Sequence, residues 1–426
     1  MSKNKNKQVF GTGSSLVVEN CQVCQNTNLE SILFLGFLPP VNKMNIIGSR
    51  PKEQPSYPAE FLYCPQCKLV QLGLIIDPKV IFPKEYPYTS GTTKILRDNF
   101  RELYKECRKL LKIGHNDLIV DIGSNDGTLL SNFKDGHKVL GVTPEDIGKL
   151  AIENGIPTIL DYFTNDCVKE IKKTYGKAKI VTAANVFAHI ENPNRVVENI
   201  ISLLKPDGVF ISESHYLYQL LKTLQYDTIY HEHLRYYSLT SIKYLLNMHG
   251  LEVFHAKQIP THGGSIRVYA AKKGLYPINN SVRKIEDKEK KYVTNRKNLL
   301  RFKDKVVLSK LELNSLLWNL KRRNKTIYGI SAPSRASTLI NYVGLDDGIL
   351  DYVLEIKGSY KIGNYIPGTL IPIVEETRLF EMQPDYALLL SWHIAGELIP
   401  KLKQKGFKGD FIIPLPMPRI VRNIGR

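Results

Sequence analysis

Short apolar runs alternate with helix-spaced amphipathic segments between about residues 93 and 275. "LIVDIGSNDGTLLSNF" predicts a buried strand, a glycine turn and a helix, and "KVLGVTPED" a second strand. "AKIVTAANVFAHI" predicts another strand, and "GVFISESHYL" a further one, entered from the turn "KPDG". Strands separated by helical segments imply a parallel, doubly wound sheet whose ligands bind at the carboxyl ends of the strands. A second alternation begins at "TIYGISAPSRASTLINYVG" and continues through "YVLEI", "LIPIV", "YALLLSW" and "GDFIIPLP". Between the two, charged and leucine-periodic residues ("LLRFKDKVVLSKLELNSLLWNLKRR") fit one or two connecting helices with a buried stripe. The opening part instead has strand-like runs, "AEFLY" and "LVQLGLII", around a loop-rich stretch. The fold class is therefore α/β, divided at 1–92, 93–279, 280–323 and 324–426.

A chain of 426 residues allows about two to four domains. Its lysine-bearing start lacks the apolar run of a signal peptide, and no stretch reaches the length of a membrane span. Six cysteines are too few for a disulfide scaffold in so long a chain, and Cys107 and Cys167 read as ordinary buried thiols. A reducing cytoplasm is the expected location. The formal net charge of +18 favours anionic partners, although much of the surplus lies in the helical segments with interspersed acids, as on a solvated face.

Cys21-x-x-Cys24 and Cys64-x-x-Cys67 can each present two thiolates to one tetrahedral zinc ion. A closed four-thiolate site leaves no position for substrate, so this metal belongs to folding rather than catalysis. In "VDIGSNDGTLL" a G-x-G-x-x-G spacing is absent; Asp121, Gly123 and Gly127 instead resemble motif one of class I S-adenosylmethionine-dependent methyltransferases. The end of the next strand, where that class usually has an acid for ribose, carries Thr143, with Glu145 just beyond as a substitute. "YHEHLRYYS" lacks the i, i+4 histidines of a zinc hydrolase. An extended backbone puts Tyr230 and Glu232 on one side and His231 and His233 on the other, whereas a helical turn puts Tyr230 and His233 together; either can supply a base tuned by Glu232. The glycine pair of "THGGSIRVYA" allows close backbone approach to a ligand, or simply a tight strand entry. "SAPSRAS" offers Ser334, Arg335 and helix-start amides to a phosphate, with Lys361 adding charge.

In order, "CQVC", "CPQCKLVQL", "YPYTSGTT", "DIGSNDGTLL", "NVFAHI", "YHEHLRYYSL", "HGGSIRVY", "YGISAPSRASTLINY" and "KIGNYIPGTLIPI" resemble the sugar C-methyltransferase family over nearly the whole chain. The resemblance implies an N-terminal zinc-binding domain, a central class I methyltransferase domain and a C-terminal Rossmann-like domain. It implies methyl transfer from S-adenosylmethionine to a carbon beside a ketone in a nucleotide-linked deoxy sugar, carbon 3 of a 4-keto-6-deoxy sugar in well-studied relatives. A base removes the α proton and the enolate is stabilised while it attacks the methyl group. By this resemblance Tyr230, Glu232, His233 and His189 are catalytic, with an upstream tyrosine at Tyr86 or Tyr88. His231, Tyr236 and Tyr237 keep structural roles. Asp121, Gly123, Ser124, Asn125, Gly127 and Asn185 border the cofactor; Ser334, Arg335 and Lys361 meet the nucleotide diphosphate. Two rivals are a nucleic-acid methyltransferase with a zinc module, which leaves the polar cluster and third domain unexplained, and a non-catalytic nucleotide-sugar binding protein. The first reading expects neither nucleic acid nor a membrane span.

Overall fold

The computed structural model describes residues 15–50, 54–81 and 89–423. Its largest sheet has seven strands, in the spatial order 251–259, 265–272, 204–215, 178–184, 118–122, 138–142, 158–159. The central strand Leu118–Ile122 is buried along its whole length, the pattern of a strand covered on both faces. Ser265–Lys272 runs antiparallel to both neighbours, which departs from the all-parallel expectation. The cause is its connection: it follows Leu251–Ile259 through the short turn 260–264, a hairpin rather than a helical crossover.

A second departure follows the glycine turn. "GTLLSNF" forms only the 3-10 turn Leu130–Asn132, not a helix. Asn132 Nδ2 donates to the carbonyls of Thr128 and Leu129, and the next strand starts at Lys138, which leaves no room for further turns. The sheet face is covered instead by Lys94–Leu110, which buries Leu96, Phe100, Leu103 and Cys107 at helical spacing. Cys107 and Cys167 are both buried free thiols, as expected.

The N-terminal sheet is antiparallel, with Glu30–Leu38, Tyr57–Tyr63 and Val70–Leu72 in order. Its remaining strand, Arg235–Tyr236, comes from the "YHEHLRYYS" stretch and pairs with Val70–Leu72 in the register Arg235 to Gln71 and Tyr236 to Val70. Two helices, Asn280–Tyr292 and Arg296–Lys321, then carry the chain onward. The second buries Leu299, Phe302, Val306, Leu313, Leu317 and Leu320 against the N-terminal sheet and the helix Ser334–Val343. The last domain has six strands, ordered 373–375, 352–355, 327–330, 386–389, 410–413, 419–421, all parallel except the final one.

A buried ion pair joins this last domain to the turn Tyr226–Thr228 of the central domain. Arg335, on the helix after Ile327–Ile330, donates from Nε (2.7 Å) and Nη2 (2.8 Å) to the Asp227 carboxylate. Trp392 Nε1 donates to the same carboxylate at 2.7 Å. Removing one member of such a pair strands the other charge in a poorly solvated place. Asp227→Ala should therefore destabilise the protein by about 3–5 kcal/mol, read as a lower urea midpoint; an unchanged midpoint would contradict the clamp.

Candidate active site

The four thiols Cys21, Cys24, Cys64 and Cys67 converge, with every sulfur within 4.8 Å of the others. Cys21 and Cys67 Sγ lie 3.4 Å apart, and Cys24 and Cys64 Sγ 3.5 Å. Zinc with tetrahedral bonds of about 2.3 Å spaces its sulfurs about 3.8 Å apart, so the cluster fits with small adjustments. Each C-x-x-C turn closes alike: Gln25 N donates to Cys21 O and Lys68 N to Cys64 O, with φ of +60° and +62° at the two donors. The fully buried Arg235 guanidinium lies in the field of Cys21 and donates to Gln22 Oε1 and the Glu191 carbonyl, with no carboxylate in its salt-bridge range among the described residues. A zinc ion held by four thiolates carries net negative charge, which suits this cation.

The peptide of Leu234 ties this module to the large sheet. Leu234 N donates to Ala188 O at 3.0 Å, and Leu234 O accepts from Leu72 N at 3.0 Å. Just before it, the chain turns: His233 N donates to Tyr230 O at 2.9 Å, and the Tyr230 and His233 rings lie 4.2 Å apart and 34° from parallel. Of the two conformations open to the sequence, the turn holds over Tyr230–His233 and extended pairing begins at Arg235. His231 points away, to Pro58 O at 3.2 Å, and Tyr236 and Tyr237 are buried.

His189, from the loop after Ala178–Ala184, approaches His233 with 5.0 Å between rings. His233 Nδ1 lies 3.0 Å from the Thr228 carbonyl, which can only accept, so Nδ1 carries the proton and Nε2 is left with its lone pair. Burial lowers the pKa of His233 well below that of free histidine, and the neighbouring His189, His215 and His262 add to the effect. Burial likewise takes His189 down to about 4. Both imidazoles are neutral at neutral pH. Tyr86 and Tyr88 lie outside the described residues.

At the carboxyl end of the first strand, Gly123 and Gly127 have φ of +70° and +77°. Their lack of a side chain serves packing: a Cβ on Gly123 would sit 2.3 Å from Val186 Cγ2, and one on Gly127 3.0 Å from Ala151 Cβ. Asp121 and Ser124, expected beside the cofactor, lie beneath the loop. Asp121 is buried and accepts from Thr182 Oγ1 at 2.6 Å, with its pKa pushed up to about 7 by burial; the buried Ser124 hydroxyl sits over Gly141. The loop is covered by the segment after residue 88, where Ser90 N donates to Asn125 Oδ1 (2.9 Å) and Gly91 N to Asp126 Oδ2 (2.7 Å). Thr143 is fully buried, and its hydroxyl donates to Glu145 Oε2 at 2.9 Å. The threonine thus aims the half-buried carboxylate. Asn185, at φ +60°, donates its amide to Glu213 O at 2.8 Å on the adjacent strand. A glycine turn after the central strand, a carboxylate after the strand on one side of it and Asn185 after the strand on the other form a donor and acceptor set suited to S-adenosylmethionine.

The C-terminal candidates divide. Ser334 Oγ donates to Asn42 Oδ1 at 3.4 Å, and Asn42 Nδ2 donates to Glu232 Oε1 at 2.6 Å, so one chain of contacts links all three domains. Lys361 Nζ donates to Ala332 O in the field of Glu355 and Glu232. Arg335, expected at a diphosphate, is committed to Asp227, because a guanidinium buried to 6% exposure needs a full countercharge. The glycine pair of "THGG" meets protein rather than ligand: a Cβ on Gly264 would lie 2.3 Å from Gln219 Cγ. Asn42, Asp227, Gln225 and His215 were not singled out by the sequence; only their proximity to segments distant in the chain gives them significance.

The strand order of the large sheet and its glycine loop define a class I S-adenosylmethionine-dependent methyltransferase, joined to a zinc-binding domain. Family models match in three consecutive stretches: a zinc binding domain (21–82), a methyltransferase domain (95–256) and a C-methyltransferase C-terminal domain (260–416). The chain is 31% identical over 411 residues to C-methyltransferase NovU of Streptomyces niveus, covering 95% of this chain and 97% of that protein. The chain belongs to the C-methyltransferase family that its ordered motifs resemble. Solved structures also match less than half of the chain, at TM-scores too low to carry weight. They include magnesium protoporphyrin IX methyltransferase ChlM from Synechocystis PCC 6803 with bound SAH (14% identity, 42% of this chain, 83% of that chain, TM-score 0.33). The PH0226 protein from Pyrococcus horikoshii OT3 is another (18% identity, 46% and 97%, TM-score 0.36).

Gently purified protein should contain about one zinc ion per chain by elemental mass spectrometry, and Cys64→Ser should release it. Wild-type protein with only trace zinc would contradict the assignment.

Proposed function

We propose that the protein methylates a carbon beside the ketone of a nucleotide-linked keto-deoxy sugar, carbon 3 of a 4-keto-6-deoxy sugar being the first candidate, through an enolate. The observation that carries this reading is the tautomer of His233. Its Nδ1 proton is held by the Thr228 carbonyl, so a neutral Nε2 lone pair is presented as a base, flanked by Tyr230 and His189. Methylation of a carbon beside a ketone needs such a base, because that carbon becomes a nucleophile only after losing its proton.

In this reading His233 Nε2 takes the α proton, while the Tyr230 hydroxyl and His189 face the oxygen on which charge develops. Glu232, held by Asn42, fixes the turn that carries Tyr230 and His233. Bound against Asn125, Gly127, Glu145 and Asn185, S-adenosylmethionine would supply an electrophilic methyl group. Glu145 accepts from the ribose hydroxyls, doing what the acid common at position 143 does elsewhere. Ser334, bonded to the Asn42 that holds Glu232, and Lys361, which lies in the field of Glu232, are assigned to the nucleotide portion. The basic surplus of the chain suits an anionic nucleotide.

In deuterated solvent the acceptor's α proton should exchange before methyl transfer, and His233→Ala should slow both by at least about 100-fold. Exchange at the wild-type rate in that variant would remove His233 from the role. The pH profile gives a separate check. The base is active when neutral and its pKa is lowered, so activity should persist as pH falls through 6.5 and decline only well below it. A half-maximal point at 6.5 would indicate a solvated histidine instead.

A further inference from the structure

Beside His233 lies a second group of imidazoles outside the proposed base and its flanking residues: His215, at the carboxyl end of Leu204–His215, and His262, in the turn before Ser265–Lys272. Gln225 organises them. Its Nε2 donates to Gly263 O (2.8 Å) and to Thr223 Oγ1 (2.6 Å), and the Thr223 hydroxyl itself donates to Gln219 O at 2.8 Å. Its Oε1 faces Arg335 Nη2, a group that can only donate, at 3.4 Å. The amide orientation is thereby fixed. Oε1 also lies 3.1 Å from His215 Nε2, so that nitrogen must carry the ring proton. Nδ1 of His215 is consequently a lone-pair acceptor, and this buried atom has no hydrogen-bond partner among the described residues.

A buried acceptor without a partner costs free energy, which a ligand's donor would recover. Nearby charge narrows the donor's identity. Arg335 is already neutralised by Asp227, and burial, with Arg335 and His262 adding to it, takes the pKa of His215 down to about 3, so the ring stays neutral. An ionised phosphate offers only acceptors and would face a lone pair. A hydroxyl can donate. We propose that His215 Nδ1 accepts a hydrogen bond from a ring hydroxyl of the acceptor sugar and so sets the sugar's pose over His233. This rests on the sugar reading above. The strained turn supports the placement: His262 has φ +55°, and Gly263 passes so close to Gln225 that a Cβ there would lie 2.7 Å from Oε1. Backbone strain of this kind persists where surrounding contacts hold it.

The test uses the whole protein with thymidine-diphosphate-linked 4-keto-6-deoxyglucose and its 2-deoxy and 3-deoxy analogues. His215→Gln keeps a donor toward Gln225 and leaves no acceptor at the Nδ1 position; His215→Asn puts an amide oxygen near that position. With wild type, removal of one particular hydroxyl should lower kcat/KM for α-proton exchange by about 10–100-fold. His215→Gln should lose a similar factor on the hydroxylated sugar and almost nothing on that deoxy analogue, and His215→Asn should restore part of the preference. Cofactor affinity by calorimetry should stay unchanged. Equal losses on hydroxylated and deoxy sugars, or weakened cofactor binding in His215→Gln, would overturn the proposal while leaving the sugar reading intact. Wild type that exchanges none of the sugars would overturn both. Should the variants not fold, wild type alone decides, since indifference to both deoxy changes rejects the hydroxyl contact.

Discussion

The arrangement of the site depends on one peptide, that of Leu234, whose N–H is held by Ala188 and whose carbonyl is held by Leu72. One bond reaches the loop after Ala178–Ala184 of the large sheet, and the other reaches the strand Val70–Leu72 of the cysteine-bearing domain. Because a strand continues from this point, pairing Arg235 with Gln71 and Tyr236 with Val70, the turn before it cannot rotate without breaking backbone bonds. Tyr230 and His233 are carried on that turn. The cysteine cluster therefore supports the proposed base at a distance: it fixes the sheet to which the active turn is added, and Arg235 reaches from the same strand toward Cys21.

Around that peptide the reactive nitrogens are left neutral, while two other buried guanidiniums are paired with carboxylates. Arg335 is matched by Asp227, and Arg267 by Glu213 and Glu106 on opposite sides of the helix–sheet contact. His189, His215, His233 and His262 are lowered chiefly by burial. Neutral imidazoles can accept protons or hydrogen bonds where imidazolium groups cannot. The Arg335–Asp227 pair lies at a domain contact and the Arg267 pairs lie within the methyltransferase domain, and the Asn42 bridge from Glu232 to Ser334 joins the active turn to the last domain.

Features encoded by local periodicity were legible in the sequence. Alternating apolar runs gave the two α/β sheets and the connecting helices, and paired C-x-x-C turns gave the thiol cluster. The strand after the glycine pair was expected but the antiparallel direction of Ser265–Lys272 was not, because a buried apolar run has no direction of its own; only the short 260–264 connection decides it. Helix spacing after Gly127 was overridden by the Asn132 side chain and the early strand start. The tyrosine–histidine turn was one of two open conformations, because its strand partner lies in another domain. The role given to Arg335 failed to anticipate Asp227, since a phosphate-like loop and a buried ion pair use the same residue type. Thr143, a departure when taken alone, makes sense once Glu145 is seen in its grasp.

The dependence of the active turn on the cysteine domain can be measured by hydrogen exchange of the full protein before and after zinc is stripped with a chelator. The amides of Leu72, His233, Leu234 and Tyr236 should lose protection together, while those of the central strand Leu118–Ile122 remain protected. Unchanged protection across residues 230–237 after complete zinc loss would contradict the account, because the turn would then hold its shape without the sheet that is said to support it.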